Sequence, residues 1–296
     1  MFKALNAIIE NEINESNLDF YTVIIGTKPS QGARSPKLWN RVYDYEQKRI
    51  RMVPLDVKSD KLEMVFNYLK EDKLCLGGAV AVPYKEKIFN LIKNNVNEEI
   101  KAIGAVNCFH RSASGPSINE FSGTNTDGEA ALESIRKQLI ENKNLTIGLL
   151  GFGGAGKAIL AFLLRDFKTK HKIYMFNRSP VSIKTDKKSG LYSFPLYKLD
   201  TFLPHFDLLI NSTSIGHIES INATPVPAEL LAIAKKTMVV YDIVYDPIKT
   251  VLIKNSEEIG LRTINGLRMN LIQAVLAYSY TNPTSLTKDE IYNIMS

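Results

Sequence analysis

Cysteine is scarce: Cys75 and Cys108 are the only two in 296 residues. So few thiols in a chain this long leave no disulfide framework and point to a reducing, cytoplasmic compartment. Long apolar runs are missing too. No window reaches about 18 uninterrupted apolar residues, so no membrane-spanning helix is expected. The opening MFKALNAIIENEINESN takes on Glu10, Glu12 and Glu15 too early for a secretory leader. The net charge of +6 is dispersed, with no arginine-rich stripe. It suits small anionic ligands, and nucleic acid is not an expected partner. His110, His171, His205 and His217 show no ligand spacing with one another or with the cysteines, so no metal site is expected. The G-x-S-x-G elbow and the G-x-x-x-x-G-K-[ST] loop are both absent, which removes two large classes of enzyme.

What remains has the pattern of an α/β protein. FYTVIIG (Phe20–Gly26), IRMVPLDV and CLGGAVAVPY read as strands. Between the first two lies SPKLWNRVYDY, a helix with Ser35 as expected N-cap and Pro36 at the first helical position. SDKLEMVFNYLKED puts Leu62, Val65, Phe66 and Leu69 on one helix face. Repeated β-α-β units predict a mainly parallel sheet. The pattern restarts with NLTIGLLGFGGAGKAILAFLLRDF, a strand, a glycine-rich turn and an apolar helix. KIYMFNRS, FDLLINSTS and TMVVYDIVYD are further strands, and LIQAVLAYSYT is a helix near the C-terminus. The expected organisation is an α/β substrate domain over 1-127 and a doubly wound Rossmann domain over 128-265. Residues 266-296 hold a helix expected to return to the first domain. GTNTDGEAALESIRKQL reads as a loop leading into a linking helix.

Gly151, Gly153 and Gly156 form G-x-G-x-x-G, with Gly154 and Ala155 inside it. The motif follows an apolar strand and opens a helix, the context it requires. The first glycine permits a tight turn, the second lets backbone N–H groups approach a pyrophosphate, and the third lets helix and strand pack closely. About 20 residues on, NAD-binding folds place an acidic residue for the ribose hydroxyls. Here Asn177, Arg178 and Ser179 stand there. A guanidinium and a hydroxyl suit a 2′-phosphate, so NADP is the expected cofactor. Ser182 and Lys184 follow within a few residues.

The ordered blocks SPKLWN, AVPYKE, IGAVN, GTNTDG, GFGGAGKA, NRS, LLINSTSIG, YDIVYDP and NGLRMNLIQA resemble the shikimate dehydrogenase family along nearly the whole chain. The resemblance implies reversible hydride transfer between NADPH and the keto group of 3-dehydroshikimate. It makes Lys85 and Asp127 the catalytic pair. An ammonium held by a carboxylate gives a proton to the oxygen on which charge develops. It also makes Ser35, Asn107, Tyr245 and Gln273 substrate contacts. Thr213 and Ser214 belong to a loop along the cofactor, with Ile243 and Gly266 near the nicotinamide.

Three alanines depart from the pattern. Ala79 and Ala81 stand in AVAVPYK where the family carries Asn and Thr, and Ala33 replaces the first serine of its S-x-S-P. A hydrogen bond to a charged group is worth about 1.5–3 kcal/mol. Two such losses without replacement would weaken shikimate binding by roughly two to four orders of magnitude, and Ser30, Arg34 and Ser35 are the candidates to compensate. Three readings stay open: a shikimate dehydrogenase, a paralogue acting on quinate or another cyclic polyol acid, and a non-catalytic NADP-binding sensor. Both monomer and homodimer are compatible with the sequence.

Overall fold

Buried β-branched runs organise the first half of the chain in the computed structural model, which describes residues 1–112, 120–141, 144–167, 171–179, 185–186 and 188–296. The chain divides into two units, Met1–Thr126 with Leu271–Ser296, and Asp127–Asn270.

In the first unit, β1 (Phe20–Gly26) is buried from its second residue onward. It lies between β2 (Ile50–Asp56) and β3 (Cys75–Val80), parallel to both. Pro54, which has no N–H to give, sits on β2 at the sheet edge, where proline is tolerated. Beyond β3 come β4 (Cys108–Arg111) and β5 (Phe121–Thr124), and both of their ladders are antiparallel. The sheet is therefore mixed rather than mainly parallel. Each of these strands is four residues long, and β5 has a single large apolar residue, Phe121, so neither gives a periodic signal.

Helix Ser35–Tyr45 buries Leu38, Trp39, Val42 and Tyr43 along one face. Pro36 falls in its first turn as expected, but Ser35 is not its cap. Arg34 precedes the helix with φ −78° and ψ −25°, already helical, and no side chain caps the end. Leu62, Val65, Phe66 and Leu69 are all buried in helix Leu62–Glu71. Arg111 donates to the carbonyls of Leu69, Lys70 and Asp72, acceptors at the open end of that helix, and to the Cys75 carbonyl of β3. The end of the chain is tied to helix Ser35–Tyr45. Trp39 Nε1 donates to the Ala274 carbonyl at 3.1 Å, and the Tyr43 hydroxyl donates to Asn282 Oδ1 at 2.7 Å.

In the second unit, β6 (Thr146–Leu150), β7 (Lys172–Asn177), β8 (Leu191–Pro195), β9 (Leu208–Asn211), β10 (Val239–Asp242) and β11 (Arg262–Ile264) pair in parallel throughout. The order β11-β10-β9-β6-β7-β8 places the first strand of the unit in the middle, with the chain winding outward in both directions. This is the doubly wound arrangement, and its crevice opens at the carboxyl ends of β6 and β9. The strands β8 and β11 had no distinct sequence signal, one being half-exposed and the other three residues long. No helix among the described residues is long and apolar enough to cross a membrane.

Candidate functional site

The glycine motif forms the turn between β6 and helix Gly154–Phe167. Gly151 has φ +93°, a backbone state that side chains with a Cβ rarely adopt, and its N–H donates to the Phe176 carbonyl of β7. A β-carbon on Gly156 would lie 2.5 Å from the Gly151 carbonyl oxygen, so the helix can sit this close to the turn only with glycine there. Gly153 faces open space, with nothing within 4 Å of where its β-carbon would be. Gly154 and Ala155 are the first two residues of the helix, whose free N–H groups favour an anion.

Beside this turn lies a cleft of about 240 Å³ within the second unit. Leu150 and Gly151 line it from the end of β6, and Phe176, Asn177 and Arg178 from the end of β7. Thr213, Ser214 and Ile215 close it after β9, with Leu196 and Pro225. Asn177 Nδ2 donates to the Ser179 carbonyl at 2.9 Å, and Arg178 and Ser179 are exposed. Ser182 and Lys184 lie outside the described residues. Of the residues singled out in the sequence, Gly151, Asn177, Arg178, Thr213 and Ser214 line the cleft. Sequence reasoning missed Leu196 and Pro225, which come from segments without a motif and are lining residues only because of how the chain folds.

A buried polar chain holds the wall formed after β9. Asn211, fully buried, accepts on Oδ1 from the Thr213 N–H (3.1 Å) and hydroxyl (2.7 Å), and its Nδ2 donates to Asp242 Oδ1 at 2.9 Å. Asp242 is also fully buried and accepts from the Val244 N–H at 3.1 Å and the Thr250 hydroxyl at 2.7 Å. Burial pushes its carboxyl up from the ordinary range, against the opposing pull of those hydrogen bonds. Gly266 packs against the Ile243 carbonyl, where a β-carbon would sit 1.9 Å from the oxygen. Tyr245 is half-buried, with the His217 ring edge-on at 6.5 Å. Asp127, 4% exposed, is the first residue of helix Asp127–Ser134.

In the first unit, Lys85 is half-buried and begins helix Lys85–Ile92 rather than ending a strand. Its carbonyl accepts from the Val106 N–H at 3.0 Å, which places it beside the segment carrying Asn107. The Asn107 side chain is 2% exposed. Its Oδ1 accepts from the Thr126 N–H at 2.8 Å, while Nδ2 donates to Thr126 Oγ1 at 2.8 Å and to Gln273 Oε1 at 3.4 Å. Thr126 Oγ1 in turn donates to the Gln273 carbonyl at 3.1 Å. Asn107 and Gln273, 166 positions apart, are thus brought together, and the residue before Asp127 is held by both.

The departures from the family pattern also have a place. Ala79 is buried among Leu38, Trp39 and Tyr278, and Ala33 and Ala81 pack against the same apolar cluster. Ser30 is anchored to the buried Asp56. Its N–H donates to Oδ1 at 2.9 Å and its hydroxyl to Oδ2 at 2.5 Å. With its proton spent, that hydroxyl offers a substrate carboxylate only lone pairs, so Ser30 does not replace the missing donors. Arg34, half-buried, and Ser35, buried, remain. The thiols of Cys75 and Cys108 are both buried and pushed up to about 12, which makes them inert at neutral pH.

A parallel sheet wound outward from a central strand, with a glycine turn and a cleft at that strand's carboxyl end, defines a dinucleotide-binding α/β protein. The family model of the shikimate dehydrogenase substrate binding domain matches residues 24–109. The shikimate dehydrogenase (NADP(+)) of Bacillus licheniformis is 34% identical over 206 residues, 68% of this chain and 70% of that protein. Its counterpart from Methanocaldococcus jannaschii is 30% identical over 269 residues, 87% and 90% of the two chains. The crystal structure of shikimate dehydrogenase from Aquifex aeolicus matches with a TM-score of 0.77 and 26% identity, covering 95% of this chain and 99% of that one. The chain belongs to the shikimate dehydrogenase family.

Proposed function

We propose that this chain is an NADP-dependent shikimate dehydrogenase, reversibly reducing 3-dehydroshikimate to shikimate in aromatic amino-acid biosynthesis. The carrying observation is the cleft of the second unit, in a chain whose relatives are named for this NADP(+) reaction. The residues fit the cofactor. The space over Gly153 is open, the helix N-terminus favours a pyrophosphate, and Asn177 and Arg178 at the cleft leave no carboxylate to repel a 2′-phosphate. Bound NADPH supplies the hydride. Lys85 gives the proton to the substrate oxygen, and Asp127 orients the ammonium. Ser35, Asn107, Tyr245 and Gln273 bind the substrate. Substrate recognition is assigned chiefly to 1-127 with 266-296 and NADP chiefly to 128-265, Tyr245 and Gly266 being the residues that fall outside those ranges. The two buried free thiols suit a cytoplasmic enzyme.

The methyl groups of Ala33 and Ala81 and the anchored hydroxyl of Ser30 favour weak binding of the shikimate carboxylate, seen as a high KM. The test follows NADPH absorbance with shikimate or quinate and with NADP or NAD. Shikimate oxidation with NADP as the preferred pair is the expected result. Preferred oxidation of quinate overturns the substrate, and NADPH binding without turnover of either overturns the enzymatic reading.

A further inference from the structure

Thr213 lines the cleft, and its hydroxyl proton is already committed. Its Oγ1 donates to Asn211 Oδ1 at 2.7 Å and accepts from the Ile215 N–H at 3.2 Å. The direction of that proton is not free to reverse. Asn211 Oδ1 also receives the Thr213 backbone N–H, which can only donate, and Asn211 Nδ2 faces Asp242 Oδ1, an oxygen that already accepts the Val244 N–H. The amide of Asn211 is therefore oriented from both ends. Asp242 is held in turn by the Val244 N–H and by Thr250, whose hydroxyl also accepts the Ile253 N–H at 3.2 Å at the start of helix Val251–Glu258. What Thr213 has left for a ligand is a lone pair.

We propose that Thr213 meets the bound dinucleotide as a hydrogen-bond acceptor, taking a bond from a ribose hydroxyl or an amino group and giving none to a phosphate. Asp242, acting through Asn211, is the positioning residue that sets this polarity. Phosphate oxygens are acceptors only, so a hydroxyl whose proton is spent repels them. The phosphates then fall to the backbone N–H groups of the glycine turn and to Arg178. This inference rests on the NADP reading above and adds to it the kind of group that each wall of the cleft accepts.

The test combines NADPH titration by fluorescence with a crystal structure of the NADP complex. Thr213→Val should weaken NADPH binding about tenfold, and Thr213→Ser, which keeps the hydroxyl, should stay within about twofold of the wild type. Asp242→Asn should weaken binding several-fold, about threefold or more, yet cost nothing further in a Thr213→Val background, since both act through one contact. In the complex, a hydroxyl or amino group should lie within hydrogen-bond distance of Thr213 Oγ1. A phosphate oxygen there, no ligand atom there, or additive losses in the double variant overturn the proposal. The Thr213 pair and the complex decide it whether or not Asp242→Asn folds. Failure of the wild type to bind NADPH overturns the cofactor reading, and this proposal with it.

Discussion

The two units build their sites from different materials. In the second, the cleft consists of a glycine turn, the ends of adjacent parallel strands and one loop pinned by buried Asn211 and Asp242. A turn and strand ends position it, and a short motif directs them. In the first, the candidate residues are side chains from separate segments: Ser35 and Lys85 on two helices, Asn107 before β4, and Gln273 on the helix Leu267–Thr281. A backbone-built site tolerates change at most side chains, whereas a side-chain-built site is redefined by a few substitutions. Ala33, Ala79 and Ala81, which depart from the resemblance, all lie in the first unit.

The sharpest way to break this contrast is Lys85→Ala. On the proposed role of Lys85 as proton donor, kcat should fall about a thousandfold while NADPH affinity stays within error, measured by steady-state kinetics beside a binding titration. A parallel loss of NADPH affinity would mean that the two sites are not separable. On the other side, Arg178→Ala should cut the preference for NADP over NAD about tenfold or more, read as the ratio of kcat/KM values, with the shikimate KM unchanged. Ala33→Ser asks whether the first unit still has room for the donor it lacks. The shikimate KM should fall about threefold to tenfold, and no change would place the carboxylate elsewhere.

The smallest effect concerns stability, and here the half-buried Glu46 and the buried Asp242 differ in sign. Burial alone would raise Glu46. Hydrogen bonds from Tyr278 (2.6 Å), Thr284 (2.7 Å) and Lys48 (3.0 Å) outweigh it and hold the group below its ordinary 4.5. A native pKa below the unfolded one stabilises the fold at neutral pH, and that contribution drains away as pH falls from 4.5 through the native value. Asp242 is shifted the other way by burial, so its ionised form carries a cost at neutral pH that acid relieves. Melting temperatures between neutral and acid pH should show Glu46→Gln flattening the acid loss and Asp242→Asn steepening it. The same sign for both would refute the contrast.

Legibility followed the length and regularity of each signal. Leu62, Val65, Phe66 and Leu69 read as one face because ten helical residues repeat the period, and all four are buried. Gly123 and Thr124, expected in a loop, belong to the strand Phe121–Thr124, because four residues cannot establish a period against the turn formers that follow. Ser35 had a capping residue's chemistry, but Arg34 already has helical angles, so the cap was not used. Lys85 and Gln273 were legible as site candidates only through ordered resemblance, since no local pattern marks either. Leu196 and Pro225 carried no mark at all.

The sequence by itself determined the strands and helices that have a clear period, the glycine turn and the residue types at the end of β7. These depend on neighbours along the chain, where backbone sterics and periodic burial act directly. Tertiary structure decided that the first sheet turns antiparallel at β4, that Asn107 meets Gln273, and that Ser30 gives its proton to Asp56. It also decided that Asp242 orients Asn211, and through it Thr213. Apart from the local Asn211–Thr213 contact, these rest on hydrogen bonds between distant segments, whose direction depends on which donor or acceptor the fold delivers opposite.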